Sequence, residues 1–153
     1  MQVKQYVVFY LNEEEYGIGI EYTREILRVK QKITKIPDMP SFVEGVIELR
    51  GKVITVINLR KRFGFEGREI GRESKLLIVN AGDTMIAFLV DDVSDIMNFT
   101  ENQIENLDNM ISGMGRNSVK GIGRVEEKLV ILLDLEKLSN EVFRLDIKGE
   151  QKC

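Results

Sequence analysis

The stretch GVIELRGKVITVINLR, residues 45–60, decides the fold class. Two short apolar runs, Gly45–Leu49 and Val53–Ile57, flank Arg50-Gly51-Lys52. Runs of strand length around a glycine turn form a β-hairpin. Asn58 then caps a short helical turn, Leu59–Phe63, which Gly64 ends. The same order of residues returns as GIGRVEEKLVILLDLE, residues 121–136. The offset from Gly45 to Gly121 is 76 positions and needs no gap. Lys52 falls on Lys128, Val53-Ile54 on Leu129-Val130, and Asn58-Leu59 on Asp134-Leu135.

Outward from these hairpins the pattern stays β. Gln5–Leu11 (QYVVFYL) is aromatic, β-branched and nearly all apolar, which predicts a strand buried on both faces. Asn12–Glu14 make a polar turn. Tyr16, Ile18 and Ile20 alternate with Gly17 and Gly19, so the next strand has one thin face. Glu21–Val29 is either a helical turn or a bent strand. Pro37 and Pro40 punctuate a loop. Residues 64–73 are polar and carry Gly64, Gly67 and Gly71, the best internal boundary. Lys75–Asn80 and Met85–Val90 form a hairpin around Gly82-Asp83, and Val93–Phe99 a further strand. Thr100–Gly115 reads as a loop with a brief helix, and Asp134 caps a helix running to about Asp146.

The earlier parts of the two halves match at a second offset, 70 positions from Ile20 to Val90, which sets Glu25-Ile26 over Asp95-Ile96. Each half supplies about five short strands. A short antiparallel sheet with a closing helix curls into a small barrel, which removes exposed edges. The expectation is one domain over residues 1–153, with subdomain 1 at about 15–75 and subdomain 2 at about 76–138. The N-terminal strand (about 4–12) and the C-terminal helix (about 134–146) are expected to pack across both, leaving a groove at the seam.

Composition narrows the function. The chain has 153 residues, 43% hydrophobic and 31% charged, with a net charge of −3, so it can form a globular core. It has no histidine and no tryptophan. Ser/His/Asp and Cys/His machinery is therefore excluded, as is the commonest zinc ligand. The carboxylates of Asp91-Asp92 and Glu13-Glu14-Glu15 point to alternate faces and do not converge. Gly113-Met114-Gly115 has no further glycine at dinucleotide-loop spacing. No catalytic, cofactor or metal site is expected.

The acidic balance argues against nucleic acid. The basic run Arg60-Lys61-Arg62, with Arg68 and Arg72, reads as a solvated helix end and loop. No run of about 18 apolar residues exists, so no membrane insertion is expected. Met1–Tyr10 reads as a strand, not a signal peptide. The single cysteine, Cys153, cannot form an internal disulfide, which suits a reducing cytoplasm.

Ile36–Arg60 resembles the signature of the CheW family. Phe9–Leu27 (FYLNEEEYGIGIEYTREIL), Phe88–Met97 (FLVDDVSDIM) and Gly121–Leu138 (GIGRVEEKLVILLDLEKL) extend the resemblance to roughly residues 4–145. The chain departs from the family twice. It has Glu48-Leu49-Arg50-Gly51 where the family usually has Asn-Leu-Arg-Gly, and Thr55 where proline is usual.

The resemblance implies a mainly β fold: two SH3-like, five-stranded β-barrel subdomains around a shared core, with short helices and a C-terminal helix. It implies a non-enzymatic adaptor in bacterial chemotaxis, coupling the cytoplasmic tip of methyl-accepting chemotaxis receptors to the regulatory domain of the histidine kinase CheA. Such an adaptor is cytoplasmic and recruited to membrane-associated receptor arrays. Carried over by position, Thr23, Glu25, Gly45, Ile47, Leu49 and Arg50 are the candidate receptor-binding residues. Glu25 and Arg50 would pair with the receptor helices, Gly45 would permit close backbone approach, and Ile47 and Leu49 would supply apolar surface. The alternative is a ligand-binding module or enzyme using the groove between the barrels.

Overall fold

The computed structural model describes residues 2–67, 69–106 and 118–139. Eleven strands run in the order β1 (Val3–Leu11), β2 (Glu14–Gly19), β3 (Thr23–Arg28), β4 (Val43–Leu49), β5 (Lys52–Asn58), β6 (Lys75–Ala81), β7 (Thr84–Val90), β8 (Asp92–Thr100), β9 (Ile104–Asn106), β10 (Val119–Val125) and β11 (Lys128–Leu133). A 3-10 turn over Ile20–Tyr22 precedes β3, and another over Glu101–Gln103 precedes β9. Helix α1 (Leu59–Arg62) follows β5, and residues 135–139 are helical after β11. The expected helix beyond residue 139 and the expected loop over 107–115 lie outside the described residues.

The fold is mainly β, in two sheets. One has six strands in the order β8-β1-β2-β11-β10-β9, the other five in the order β3-β6-β7-β5-β4. The sixth strand is β9, a three-residue segment that sequence reading left inside a loop.

The repeat is a repeat of structure. Thr55 of β5 pairs in parallel with Ile86 of β7, and Ile131 of β11 pairs in parallel with Tyr16 of β2. Those positions are related by the offsets of 76 and 70. The bulges repeat too, between Val43 and Gly45 in one sheet and between Val119 and Gly121 in the other. Asn58 Oδ1 accepts from Lys61 N at 3.2 Å, and Asp134 Oδ1 accepts from Lys137 N at 3.1 Å.

The sheets are not the two halves of the chain. Hairpin β1–β2 comes from the first repeat yet lies between β8 and β11 of the second. Hairpin β6–β7 comes from the second repeat yet lies between β3 and β5 of the first. Each repeat lends its hairpin to the other's sheet. The expected division into 15–75 and 76–138 therefore does not follow sheet membership, because most of β6–β7 falls on the wrong side of it. The sequence pattern shows where strands are, not which non-local edge each one joins.

The exchange creates a core shared by both sheets. Val7 and Phe9 of β1 meet Leu77 and Val79 of β6, Phe88 of β7 and Leu133 of β11, all buried. Alternate residues of the same strands face away. Leu76 and Ile78 enter a core inside the five-stranded sheet, while Tyr6 and Val8 enter one inside the six-stranded sheet. That is why YVVF and LLIV are apolar without alternation. Each fully buried side chain of this kind contributes about 1.5–3 kcal/mol.

Candidate functional site

The candidate residues gather on β3 and on hairpin β4–β5. Arg50 and Gly51 form the hairpin's two-residue turn with φ of 50° and 81°, the left-handed geometry that such turns demand. The turn aims the Arg50 guanidinium at Glu25 on β3. The pair is bidentate: Arg50 Nη1 donates to Glu25 Oε2, and Nη2 donates to Oε1 at 2.6 Å. The hydrogen bond from Arg50 holds the Glu25 carboxyl below its ordinary value of 4.5, and the same bond raises Arg50. The arginine side chain remains largely exposed. The two charges expected to reach for receptor helices thus meet each other first.

The repeat makes this pair asymmetric. The positions matching Glu25 and Arg50 in the other half are Asp95 and Glu126, two acids. Asp95 Oδ1 instead accepts from Ile96 N at 2.7 Å. One sheet carries a polar clamp where its counterpart carries two like charges.

The other candidates serve the fold. Gly45 is buried at the β4 bulge with φ of 145°. A methyl group there would overlap the carbonyl of Thr34. Thr34 N donates to Val46 O at 2.9 Å, and Val46 N donates to Thr34 O at 2.8 Å. The close approach that Gly45 permits is used by the chain's own β3–β4 connection. Ile47 is 2% exposed and packs with Ile54, Val56 and Leu76. The expectation that it supplies surface is incorrect, because the alternation of β4 turns Ile47 inward. Leu49 is half-buried against the same core. Thr23 is half-buried at the start of β3, and its hydroxyl is shielded without a hydrogen-bond partner.

Sequence reasoning missed the exposed apolar residues. Ile26 on β3 is 42% exposed and Ile96 on β8 is 49% exposed. They are repeat-equivalent and lie on the edge strands of their sheets. Val53 and Leu129, on the outer faces of hairpins β4–β5 and β10–β11, are a second exposed equivalent pair. The offsets of 70 and 76 were the available signal, since an apolar residue kept outward in both copies is not filling a core.

It also misread the basic run. Arg60 is buried and holds Asp91 Oδ2 at 2.7 Å, while its Nε donates to Glu66 O at 2.9 Å. The same Asp91 oxygen accepts from Asn12 N at 2.9 Å, tying α1, the β1–β2 turn and the β7–β8 junction together. Lys61 pairs with Glu44 at 3.0 Å, and Arg62 lies over the Phe42 ring. Burial pushes Glu44 up, but bonds from Asn58 and Lys61 outweigh it and leave its pKa lowered.

Among the described residues, no group of three or more acidic or thiol side chains could hold a metal. No helix among them is long and apolar enough to cross a membrane. The arrangement defines a mainly β scaffold: two edge-bearing sheets locked by exchanged hairpins, with the bidentate Glu25–Arg50 clamp on the outside of the five-stranded one.

Comparison with known proteins gives the family. The profile of the CheW-like domain matches residues 5–143. The chain is 33% identical over 145 residues to the chemotaxis protein CheW of Klebsiella aerogenes, spanning 94% of this chain and 87% of that protein. It is 33% identical over 141 residues to CheW of Thermotoga maritima, spanning 92% and 91%. The crystal structure of scaffolding protein TtCheW from Thermoanaerobacter tengcongensis superposes with a TM-score of 0.81 at 37% identity, covering 90% of this chain and 92% of that one. The chain belongs to the CheW-like domain family. It is a chemotaxis adaptor of the scaffold type and not an enzyme.

Proposed function

We propose that this adaptor couples methyl-accepting chemotaxis receptors to the histidine kinase CheA on the cytoplasmic side of the membrane. The observation that carries this reading is the Glu25–Arg50 clamp, present on one sheet and absent at the equivalent positions of the other. A receptor tip is a helical hairpin. A fixed, exposed charge pair suits the charges that flank the apolar stripe of such a helix. The clamp holds Arg50 in place before binding, which reduces the entropy lost on contact. Charge placement then sets register more than affinity. In this reading Thr23, Leu49 and the Arg50 turn flank the clamp, whereas Gly45 and Ile47 support it from within the fold.

The alternative, chemistry or ligand binding in a groove between the sheets, finds little support, because Phe9, Phe88 and their neighbours fill that space.

The test mixes purified protein with a receptor cytoplasmic fragment and CheA and measures co-sedimentation and kinase activity. A ternary complex is expected. Arg50→Ala and Glu25→Lys should weaken receptor binding while thermal unfolding stays close to wild type. The double exchange Glu25→Arg with Arg50→Glu restores a pair in reversed sense, and should restore neither register nor binding. No complex with either partner overturns the coupling. A collapse of stability in the single variants makes the clamp structural and removes it from the contact surface.

A further inference from the structure

One edge of the five-stranded sheet carries a charge opposite in sign to the whole chain. The chain has a net charge of −3, yet Arg24, Arg28, Lys30 and Lys32 fall within nine residues that hold a single acid, Glu25. All four cations are exposed. The fold does not require them. The positions 70 residues further on are Ser94, Asn98, Thr100 and Asn102, and the matching span holds Asp95, Glu101 and no cation. Four cations less one acid give +3 at the first edge, and two acids give −2 at the second.

The four cations are also uncommitted. Arg50, Arg60, Lys61 and Lys75 each bind a carboxylate. Arg24, Arg28, Lys30 and Lys32 form no ion pair among the described residues. They begin beside the clamp. Arg24 and Arg28 are one and three residues from Glu25, about 3 and 10 Å along a strand. The alternating exposure of β3 puts them on the opposite face from Glu25. Their charge still reaches the clamp. The hydrogen bond from Arg50 is the main cause of the lowered Glu25 pKa, and the Arg24 charge adds to it. In about 0.1 M salt such a field extends about 10 Å.

We propose that this basic strip steers an acidic helical flank onto the Glu25–Arg50 clamp, so that the receptor tip this adaptor takes carries carboxylates beside its contact stripe. The strip's role stands on receptor binding as proposed above, and adds the charge of the partner. Free cations at the rim of a contact surface raise the rate of encounter and its salt dependence more than the lifetime of the complex.

Stopped-flow binding to a receptor cytoplasmic fragment tests this with the full chain, a triple variant Arg28→Gln, Lys30→Gln, Lys32→Gln, and the same three positions changed to Glu. In about 10 mM salt, association should slow about tenfold in the glutamine variant and further in the glutamate variant. The three rates should converge near about 1 M salt, where the field extends only about 3 Å. Dissociation rates and thermal unfolding should stay close to wild type, since these side chains are exposed. Equal association rates at low salt, or a faster glutamate variant, overturn the steering role and leave the coupling intact. Loss of self-association, or of capture by phosphatidylglycerol vesicles, in those variants would then identify what the strip holds instead. No receptor complex at any salt removes the coupling itself, and the steering with it.

Discussion

The two sheets solve one packing problem with different side chains. Inside the five-stranded sheet the core is aliphatic: Ile47, Ile54, Val56, Leu76, Ile78 and Leu89 fill it. Inside the six-stranded sheet Gly123 replaces Ile47, and Phe99, packed edge to face on Tyr6 at 5.8 Å, fills the space. A Cβ on Gly123 would lie 2.7 Å from the Phe99 ring. The backbone plan is held fixed by the bulges, the hairpin turns and the Asn58 and Asp134 caps, while the filling varies. Strand pairing and capping thus constrain a repeat more tightly than the identity of its core residues, which need only conserve volume and apolarity. The outer faces diverge further, and the charge pair has no copy.

The largest test of this contrast uses Arg60 and its equivalent, Glu136. Arg60→Ala removes a buried guanidinium that binds Asp91 Oδ2 and Glu66 O, and should cost about 3–5 kcal/mol in urea unfolding. Glu136 is exposed, and Glu136→Ala should stay within about 0.5 kcal/mol. Equal losses would mean the halves are stabilised alike.

Core substitutions come next. Ile47→Ala opens a cavity and should cost about 2–5 kcal/mol. Gly123→Ala pushes a methyl group into Phe99 and should cost about 1–3 kcal/mol. A Gly123→Ala, Phe99→Leu double variant should recover part of that loss by making the second core more like the first. No recovery would show that the aromatic pair does more than fill space.

The caps separate by less. Asp134→Ala should cost about 1 kcal/mol. Asn58→Ala should cost somewhat more, because its amide also donates to Glu44 at 2.8 Å.

The smallest effect is the pH dependence of the clamp. Glu25 has a lowered pKa when folded, so its stabilisation is complete above the unfolded value near 4.5 and is lost as pH falls through the folded value. Glu25→Gln should therefore flatten the stability profile slightly below pH 4.5. Denaturant midpoints across the acid range would show it.

Much of this plan was legible in the sequence. The 76-residue offset maps β4 onto β10 end for end, and the two caps fall where Asn58 and Asp134 predict. The hairpin exchange was hidden, since a strand's apolar pattern carries no label for a partner distant in sequence. β9 is too short to show a period. At the site, Glu25 and Arg50 were identified as charges, but their pairing depends on a turn and an edge strand that only the fold brings together. Ile47 and Leu49 share a face of β4, and the sequence does not say whether that face looks in or out. Arg60 followed the ordinary expectation for a basic run and departed from it because Asp91 lies beneath α1.

The exchanged hairpins also order events during synthesis. The β1–β2 ribbon is made well before its flanking neighbours, for β8 is the eighth and β11 the last of the eleven described strands. An isolated two-stranded ribbon is marginal in water, and its inward face is almost wholly apolar. The nascent chain must therefore carry this ribbon with its β2 edge unclosed until β11, the last of the described strands, has emerged.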